Sequence, residues 1–152
     1  MSENAGTIEY FQPEHLSEGE WTAEPTARAC GFDIGTDEVG RRYAVGGVGI
    51  TVRFEGKVIA CMGVVRLWKG VGEAWCFTTQ DAVRHPRLLC RAGLWGLDKA
   101  LGMLELHRVQ AHVLMEFKAG LRWASYMGFS QEGVCLSFTA DGHDVARFAR
   151  LA

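Results

Sequence analysis

The stretch of sequence that decides the fold is RVQAHVL at residues 108–114, followed by FKAGLRWASYM at residues 117–127 and by Gly128-Phe129. The first part alternates apolar and polar residues, which predicts a half-buried β-strand. The second part repeats apolar residues at helical spacing, which predicts a short helix. Gly128 is placed to take the left-handed conformation that ends many helices. This stretch therefore predicts a strand, then a helix that a glycine terminates.

Two further β segments are predicted after this helix. Val134 to Thr139 and Val145 to Leu151 flank the dipeptide Asp141-Gly142. Asp-Gly is a strong signal for a hairpin turn, because glycine readily takes the positive φ that such turns need. The C-terminal part is thus expected to form an antiparallel hairpin.

The middle of the chain predicts a meander of three antiparallel strands at residues 48–54, 57–68 and 73–79. Glu55-Gly56 and the glycine-rich segment 69–72 supply the turns between them. The strand at 57–68 is apolar on both faces, which is typical of a central strand that is covered on both sides.

Two shorter elements are predicted before the meander. Thr7 to Phe11 has the pattern of a short first strand, and Pro13 follows it. Thr36-Asp37-Glu38 is a helix-start signal for a helix that reaches about Val45.

A longer helix is predicted from about Pro86 to Leu101, since proline is favourable at a first helical position. One apolar stripe should face the sheet, and it consists of Cys90, Leu94, Leu97, Leu101 and Leu104. A second stripe carries small residues, namely Gly93, Gly96 and Ala100. Each glycine inside a helix costs about 1 kcal/mol against alanine. A neighbouring backbone or a ligand is therefore expected to approach closely along the second stripe.

The composition is that of one ordinary globular domain spanning residues 1–152, with 48% hydrophobic and 22% charged residues. The formal net charge of −2 argues against a broad surface for nucleic acid or membranes. No apolar run approaches the ~20 residues that cross a bilayer, and the first residues lack the pattern of a signal peptide. We therefore predict a cytoplasmic protein with no nucleic-acid or membrane partner.

The cysteines and histidines predict no metal site and no disulfide. The five cysteines are an odd number, widely spaced, with no CxxC pair, and this favours small hydrophobic residues in a reduced core. The histidines at 85, 107, 112 and 143 are scattered, with no helical i,i+4 pair beside a carboxylate.

The order of predicted elements resembles the GNAT superfamily of acyl-CoA N-acyltransferases across essentially the whole chain. Residues 108–113, then Arg122 to Phe129, then Glu132-Gly133-Val134 are similar to the family's progression of fifth strand, fourth helix, Gly-Phe and x-x-Glu-Gly. The resemblance implies an α+β fold. Its mixed, mostly antiparallel, twisted sheet would have six to seven strands, flanked by about four helices.

The resemblance also implies acetyl-CoA as co-substrate. In that family the strands equivalent to 73–79 and 108–114 splay apart and hold acetyl-CoA between them, which would place Phe77, Thr78 and Thr79 beside it. Backbone N–H groups of a glycine loop, at the start of the next helix, bind the diphosphate. The equivalent loop here is residues 83–88, whose candidate contacts are Arg84, His85, Arg87 and Leu88.

This loop departs from the family pattern, because it contains no glycine and because Pro86 lacks an N–H donor. Two interpretations stay open. The positive side chains of Arg84, His85 and Arg87 could replace the glycine loop, or the segment simply starts a helix and binds nothing. In its retained Gly-Phe ending, Trp-rich core and lost glycine loop, the chain resembles the divergent GNAT-like proteins of phages and prophages.

For catalysis, the resemblance implies a carboxylate on the strand at 73–79 that removes a proton from the amine, often through water. Glu73 is the candidate, on the same face of the strand as Trp75 and Phe77. The alternative is an ordinary solvated glutamate at a strand end. Asp81 is the second choice.

The family's usual general acid, a tyrosine of the fourth helix, has no equivalent here. Alignment on Gly128-Phe129 puts Phe117 at the position of a helical asparagine and Ala124 at that of the tyrosine. Tyr126 lies about 200° further around the helix, so it is not expected to point into the same groove.

Three functions stay open from the sequence. The first is an acetyl-CoA-dependent N-acetyltransferase acting on a small-molecule or protein amine. The second is a catalytically inactive phage or prophage protein with a role in morphogenesis or host interaction, for which Trp21 and Trp68 would be contact residues. The third is a sensor that binds acyl-CoA without reacting. No motif indicates the acceptor. A homodimer is one option, because exposed strands of this fold often pair between protomers.

Overall fold

The computed structural model describes residues 6–21 and 37–152, and these contain a seven-stranded sheet with helices on both faces. The strands are β1 (Gly6–Tyr10), β2 (Gly47–Phe54), β3 (Lys57–Trp68), β4 (Val71–Thr78), β5 (Arg108–Leu114), β6 (Ser130–Cys135) and β7 (Val145–Leu151). The helices are α1 (His15–Glu18), α2 (Asp37–Ala44), α3 (Pro86–Met103) and α4 (Lys118–Tyr126), with a 3₁₀ turn at Gln80–Arg84.

The sheet has the order β1-β2-β3-β4-β5-β7-β6 and is antiparallel except between β4 and β5. This parallel ladder contains only the pairs Val71↔Arg108, Gly72↔Val109 and Glu73↔Gln110. β4 continues to Thr78 and β5 to Leu114 without further pairing to each other. The two strands therefore separate beyond Glu73 and open a gap within the sheet. The mixed, mostly antiparallel sheet that the sequence predicts is confirmed.

Two apolar layers hold the helices to the sheet. On one face, Ile50, Val52 and Met62 of the sheet pack in one cluster with Ala92 of α3. On the other face, the core is more aromatic, and it contains Phe11, Leu16, Trp21, Val39, Trp75 and Phe77. Burial of a large apolar side chain stabilises a fold by roughly 1.5–3 kcal/mol, so both layers contribute strongly.

The small-residue stripe of α3 is explained by side-chain packing. A Cβ on Gly96 would lie 3.0 Å from Cδ1 of Ile50, and one on Gly93 would lie 2.7 Å from Cε of Met127. The predicted position of Leu94 facing the sheet is wrong, since Leu94 is exposed. The buried face of α3 is instead centred on the small residues and Leu97, because these let the helix lie close to the sheet.

The predicted strand Val134–Thr139 is wrong, because β6 spans Ser130–Cys135. Residues 130–134 are all exposed, so this edge strand is held by backbone pairing to β7 and shows no apolar alternation. The expected turn is present: Gly142 has a φ of +83° and its N–H donates to the carbonyl of Thr139 at 2.9 Å.

The prediction that Trp21 is a surface residue for contacts with a partner is wrong, because Trp21 is buried, with 6% exposure. Its indole N–H donates to the carbonyl of Leu16. Trp68 is exposed. Cys30 and Thr36 lie outside the described residues, and the four described cysteines form no disulfide. No helix in the described ranges combines the length and apolarity needed to cross a membrane.

Trp75 lies over two glycines of the neighbouring strands, Gly63 of β3 and Gly49 of β2. A Cβ on Gly63 would lie 2.5 Å from the carbonyl oxygen of Val48 and 2.6 Å from Cα of Gly49. We expect Gly63→Ala to lower the free energy of unfolding by about 1–3 kcal/mol, the usual cost of overpacking. Urea denaturation would measure it as a lower midpoint.

The matched control is Gly133→Ala, because a Cβ there would meet no atom within 4 Å. It should change stability by less than about 0.5 kcal/mol. Equal midpoints for the two variants would contradict the packing described for Trp75.

Candidate active site

A cavity of about 560 Å³ occupies the gap where β4 and β5 separate. Its walls are β4 from Glu73 to Thr78, β5 from Ala111 to Val113, and the facing sides of α3 and α4. The cavity is thus a direct consequence of the short parallel ladder.

The alternation of side chains along β4 gives the cavity two sides. Glu73, Trp75 and Phe77 share one face, and Trp75 and Phe77 belong to the aromatic core layer. We call this the aromatic side. Ala74, Cys76 and Thr78 share the opposite face, toward α3 and α4, which we call the helical side. A ligand that reaches from one side to the other must pass through the sheet beside β4.

The peptide groups of β4 also alternate. The N–H of Thr79 donates to the carbonyl of Ile59 in β3 at 2.9 Å, which fixes the hydrogen-bonded pairs of this antiparallel ladder. The peptide groups of alternate residues of β4 therefore point toward β3, and these residues are Glu73, Trp75 and Phe77. The peptide groups of the three alternate residues, Ala74, Cys76 and Thr78, turn toward the gap.

Glu73 and His112 form a pair at the point where the strands separate. Oε1 of Glu73 lies 2.6 Å from Nδ1 of His112, and their side chains are 25% and 16% exposed. The parallel register aligns Glu73 with Gln110, so His112, two residues further, lies on the same face. Glu73 thus lies at the point where β4 and β5 separate, and its role as a base stays a prediction. His112 was missed, because its partner is fixed by a strand register that local sequence does not reveal.

Two aromatic stacks flank this pair. The ring of Phe138 lies parallel to that of His112, with centroids 4.9 Å apart and an interplanar angle of 11°. The ring of Tyr43, from α2, stacks on Trp75 at 4.5 Å and 26°. Phe138 belongs to the connection between β6 and β7, which the sequence pattern assigned to a strand.

Glu73 is the one acidic side chain among the described residues that line the cavity, and no lysine or arginine lines it there. Arg147, which lies opposite His112 in the β5–β7 ladder, and Arg108 are both outside this lining. Arg147 donates to the side-chain oxygen of Gln110 at 2.9 Å, and Arg108 donates to Glu132 at 2.9 Å. The hydrogen bond from Arg108 lowers the pKa of the Glu132 carboxyl. The described lining therefore contains one carboxylate in mostly apolar surroundings.

The segment before α3 is a 3₁₀ turn that uses its own donors. The N–H of Ala82 donates to the carbonyl of Thr79 at 3.1 Å, and the N–H of His85 donates to that of Ala82 at 3.0 Å. These two N–H groups are therefore not available to an anion in the manner of a glycine loop.

Three of the predicted cofactor residues have side chains that serve packing. The hydroxyl of Thr79 donates to the carbonyl of Ile59 at 3.2 Å, and the ring of His85 stacks on Phe54 at 3.8 Å. The side chain of Leu88 lies against Gly6, where a Cβ would be 2.7 Å from it.

The other predicted cofactor residues lie at the cavity or on the surface near the start of α3. Phe77 lines the aromatic side and Thr78 the helical side. Arg84 and Arg87 are exposed, with Arg84 3.8 Å from Asp81. The two arginines supply positive charge near the start of α3. The role of all four residues in binding acetyl-CoA stays a prediction.

The position of the family's general acid lacks a hydroxyl group. Ala124 and Phe117 line the cavity, whereas Tyr126 is exposed and points away from it, as its helical position predicts. Tyr43 is the one tyrosine that the described lining contains.

The connection that carries Phe138 is anchored by His143. Its Nδ1 lies 2.8 Å from Oε1 of Glu116, and its Nε2 lies 3.2 Å from Oδ2 of Asp141. The hydrogen bond to Glu116, then the charge of Asp141, raises the pKa of His143. Because the pKa of His143 is higher in the folded protein than the unfolded value of about 6.5, the protonated imidazole stabilises the fold at a pH below about 6.5. This contribution disappears as the pH rises through the folded-state pKa.

We therefore expect His143→Gln to lower the urea midpoint relative to wild type at about pH 5.5 and to match it at about pH 9. Denaturation curves across this range would measure the difference. If the urea midpoint of His143→Gln were below that of wild type by the same amount at both pH values, His143 would act through packing and not through its charge.

No protein-family model and no curated protein matches the sequence. Solved structures match it over nearly its whole length. A ribosomal-protein-S5-alanine acetyltransferase from Vibrio fischeri matches with a TM-score of 0.71 and 13% identity, over 99% of this chain and 95% of that chain.

A spermidine N-acetyltransferase variant from Vibrio cholerae matches with a TM-score of 0.68 and 16% identity, over 97% of this chain and 94% of that one. An acetyltransferase of the GNAT family from Streptococcus pneumoniae matches with a TM-score of 0.66 and 15% identity, over 96% and 98% of the two chains. The chain therefore has the fold of GNAT acetyltransferases, and the fold class predicted from the sequence is confirmed.

Proposed function

We propose that this protein is an acetyl-CoA-dependent N-acetyltransferase in which Glu73 and His112 deprotonate the acceptor amine. The observation that carries this proposal is the hydrogen-bonded pair itself, 2.6 Å apart at the point where β4 and β5 separate. A carboxylate and an imidazole in contact are suited to proton transfer near neutral pH. The fold supports the proposal by analogy, since fold alone does not determine function.

The helical side of the cavity fits the thioester arm of acetyl-CoA. Ala119 and Ala124 of α4 line it and carry only a methyl group, which leaves room beside that helix. This space lies along β4, where that strand has separated from β5.

The diphosphate would be held differently from the family pattern. Because the N–H groups of Ala82 and His85 donate within their own turn, these two groups do not contribute to a backbone cradle. The exposed guanidinium groups of Arg84 and Arg87 would supply the positive charge instead.

Acetyl-CoA supplies an acetyl group that its thioester activates. The Glu73 carboxylate attracts the acceptor ammonium and accepts a hydrogen bond from Nδ1–H of His112, which leaves Nε2 of His112 as a proton acceptor. The amine nitrogen, once it has lost a proton to Nε2, forms a bond to the acetyl carbon as the carbon–sulfur bond breaks. Of the two protons that the ammonium loses in total, one passes to solvent and the other neutralises the departing thiolate, with water as carrier.

A second candidate function is a catalytically inactive GNAT-like protein with a phage or prophage role in morphogenesis or host interaction. The observation that favours it is the turn before α3, where Thr79, His85 and Leu88 are occupied by packing. A protein of this kind would retain the scaffold without binding acetyl-CoA.

Calorimetry with acetyl-CoA distinguishes the two candidates. We expect saturable binding, and a ligand at 100 times its Kd should add about 2.7 kcal/mol to the free energy of unfolding. No heat of binding at about millimolar ligand would overturn the proposed function and support the inactive scaffold.

The side-chain mode of diphosphate binding makes a further prediction. Replacing both Arg84 and Arg87 with Ala should weaken acetyl-CoA binding about tenfold, since each removes a charge-assisted contact. The control Arg41→Ala, at an exposed arginine of α2, should leave the Kd unchanged. An unchanged Kd in the double variant would remove these arginines from the binding site.

A further inference from the structure

The aromatic side of the cavity is walled by rings that pack against one another. Trp75 and Phe77 lie with centroids 5.5 Å apart, and Tyr43 contacts both of them. Glu73 precedes Trp75 by two residues on the same face of β4, roughly 7 Å along the strand. An amine that reaches Glu73 from this side therefore has aromatic surface beside it.

Phe138 completes this wall from the opposite direction. It is 46% exposed and lines the cavity, while one face of its ring covers His112. Its position is fixed, because its N–H donates to the carbonyl of His143 at 2.9 Å and His143 is paired with Glu116. Phe138 thus offers aromatic surface at the opening on an anchored segment.

The distribution of charge limits what can bind there. Within the described part of the lining, Glu73 is the sole carboxylate, there is no lysine or arginine, and the one histidine, His112, is paired with Glu73. Among the described lining residues, a carboxylate on the acceptor would meet no lysine or arginine, and a second ammonium group would meet no second carboxylate. Burial of an unpaired charge is strongly unfavourable.

We infer that the acceptor is a primary amine on an uncharged aromatic body, an arylalkylamine, and that Phe138 is a residue that determines this specificity. The ammonium group pairs with Glu73, and the aromatic body lies against Tyr43, Trp75 and Phe138, where ring contacts are favourable. This inference rests on the proposed function, because it names the substrate class of the same site.

Four amines test the substrate class, with acetyl-CoA as donor and the product identified by mass spectrometry. They are 2-phenylethylamine, phenylalanine, ethylamine and spermidine. Phenylalanine adds a carboxylate to the first amine, ethylamine lacks its ring, and spermidine adds further cations. We expect kcat/KM for 2-phenylethylamine to exceed that for each of the others by about a hundredfold.

Spermidine or phenylalanine reacting as fast as 2-phenylethylamine would overturn the inference and leave the proposed function intact. Acetylation of none of the four also overturns it. In that case the calorimetric titration with acetyl-CoA decides whether the proposed function fails as well.

Phe138→Ala tests the specificity role separately. The ratio of kcat/KM for 2-phenylethylamine to that for ethylamine should fall about tenfold, mainly through KM. Leu136→Ala, at an exposed residue of the same connection, should leave this ratio unchanged. If Phe138 only supported His112, the rates with both amines would fall together and the ratio would stay constant, which would overturn its role in specificity.

Discussion

Glu73→Gln is expected to lower kcat for acetyl transfer by about 10²- to 10⁴-fold, the range for loss of general base catalysis. Glutamine keeps the size of the side chain and can still hydrogen bond to Nδ1 of His112, which lies 2.6 Å away. It cannot carry the negative charge that attracts the ammonium group and stabilises a protonated imidazole. The loss should therefore appear in kcat as well as in KM, and steady-state kinetics with acetyl-CoA would measure both.

His112→Gln should lower kcat by a similar factor, because the two side chains act as one unit and their effects are not additive. Glu55→Gln, at an exposed turn between β2 and β3, is the matched control and should keep full activity. An unchanged rate in Glu73→Gln, with an unfolding midpoint equal to that of wild type, would remove Glu73 from the mechanism while leaving the enzyme open to another base.

Ala119→Trp is expected to weaken acetyl-CoA binding by about a hundredfold, since overpacking costs up to about 3 kcal/mol and each 1.4 kcal/mol is a factor of ten. Ala119 lines the cavity but is itself exposed on α4. A large side chain there can fill the space for the thioester arm without disturbing the core. Calorimetric titration with acetyl-CoA would measure the effect.

Ser125→Trp provides the matched control on the same helix, because Ser125 is exposed and lies outside the lining of the cavity. It should bind acetyl-CoA as wild type does. Equal affinities for the two variants would show that acetyl-CoA, if it binds, occupies a different surface.

The elements with a strong local pattern could be predicted closely from the sequence. β5 spans Arg108–Leu114, the strand predicted by alternation, and α3 begins at Pro86 as predicted. The helix predicted to begin near Thr36-Asp37-Glu38 is present as α2. In these segments the periodicity of the side chains and the end signals agree with the tertiary structure.

Elements held by distant contacts could not be predicted in this way. β6 is exposed from Ser130 to Val134 and shows no apolar alternation, and its pairing with β7 makes it a strand. Leu94 fits an apolar stripe in the sequence, yet the packing of Gly96 against Ile50 turns a different side of α3 to the sheet.

The candidate site could be predicted from the sequence only in part. Glu73 could be named because its strand and the resemblance together place a carboxylate there. His112 is separated from Glu73 by 39 residues, and their contact depends on the register of a parallel ladder of three residue pairs. Phe138 reaches His112 from a connection whose conformation the sequence pattern does not predict.

The most direct test of the central claim is mass spectrometry of wild-type protein incubated with acetyl-CoA and a mixture of primary amines. We expect the wild-type protein to form an N-acetylated amine and an equal amount of free CoA. We expect Glu73→Gln to lower the rate by at least about a hundredfold. No acetylated amine from wild-type protein, or the same rate from Glu73→Gln, would contradict the central claim.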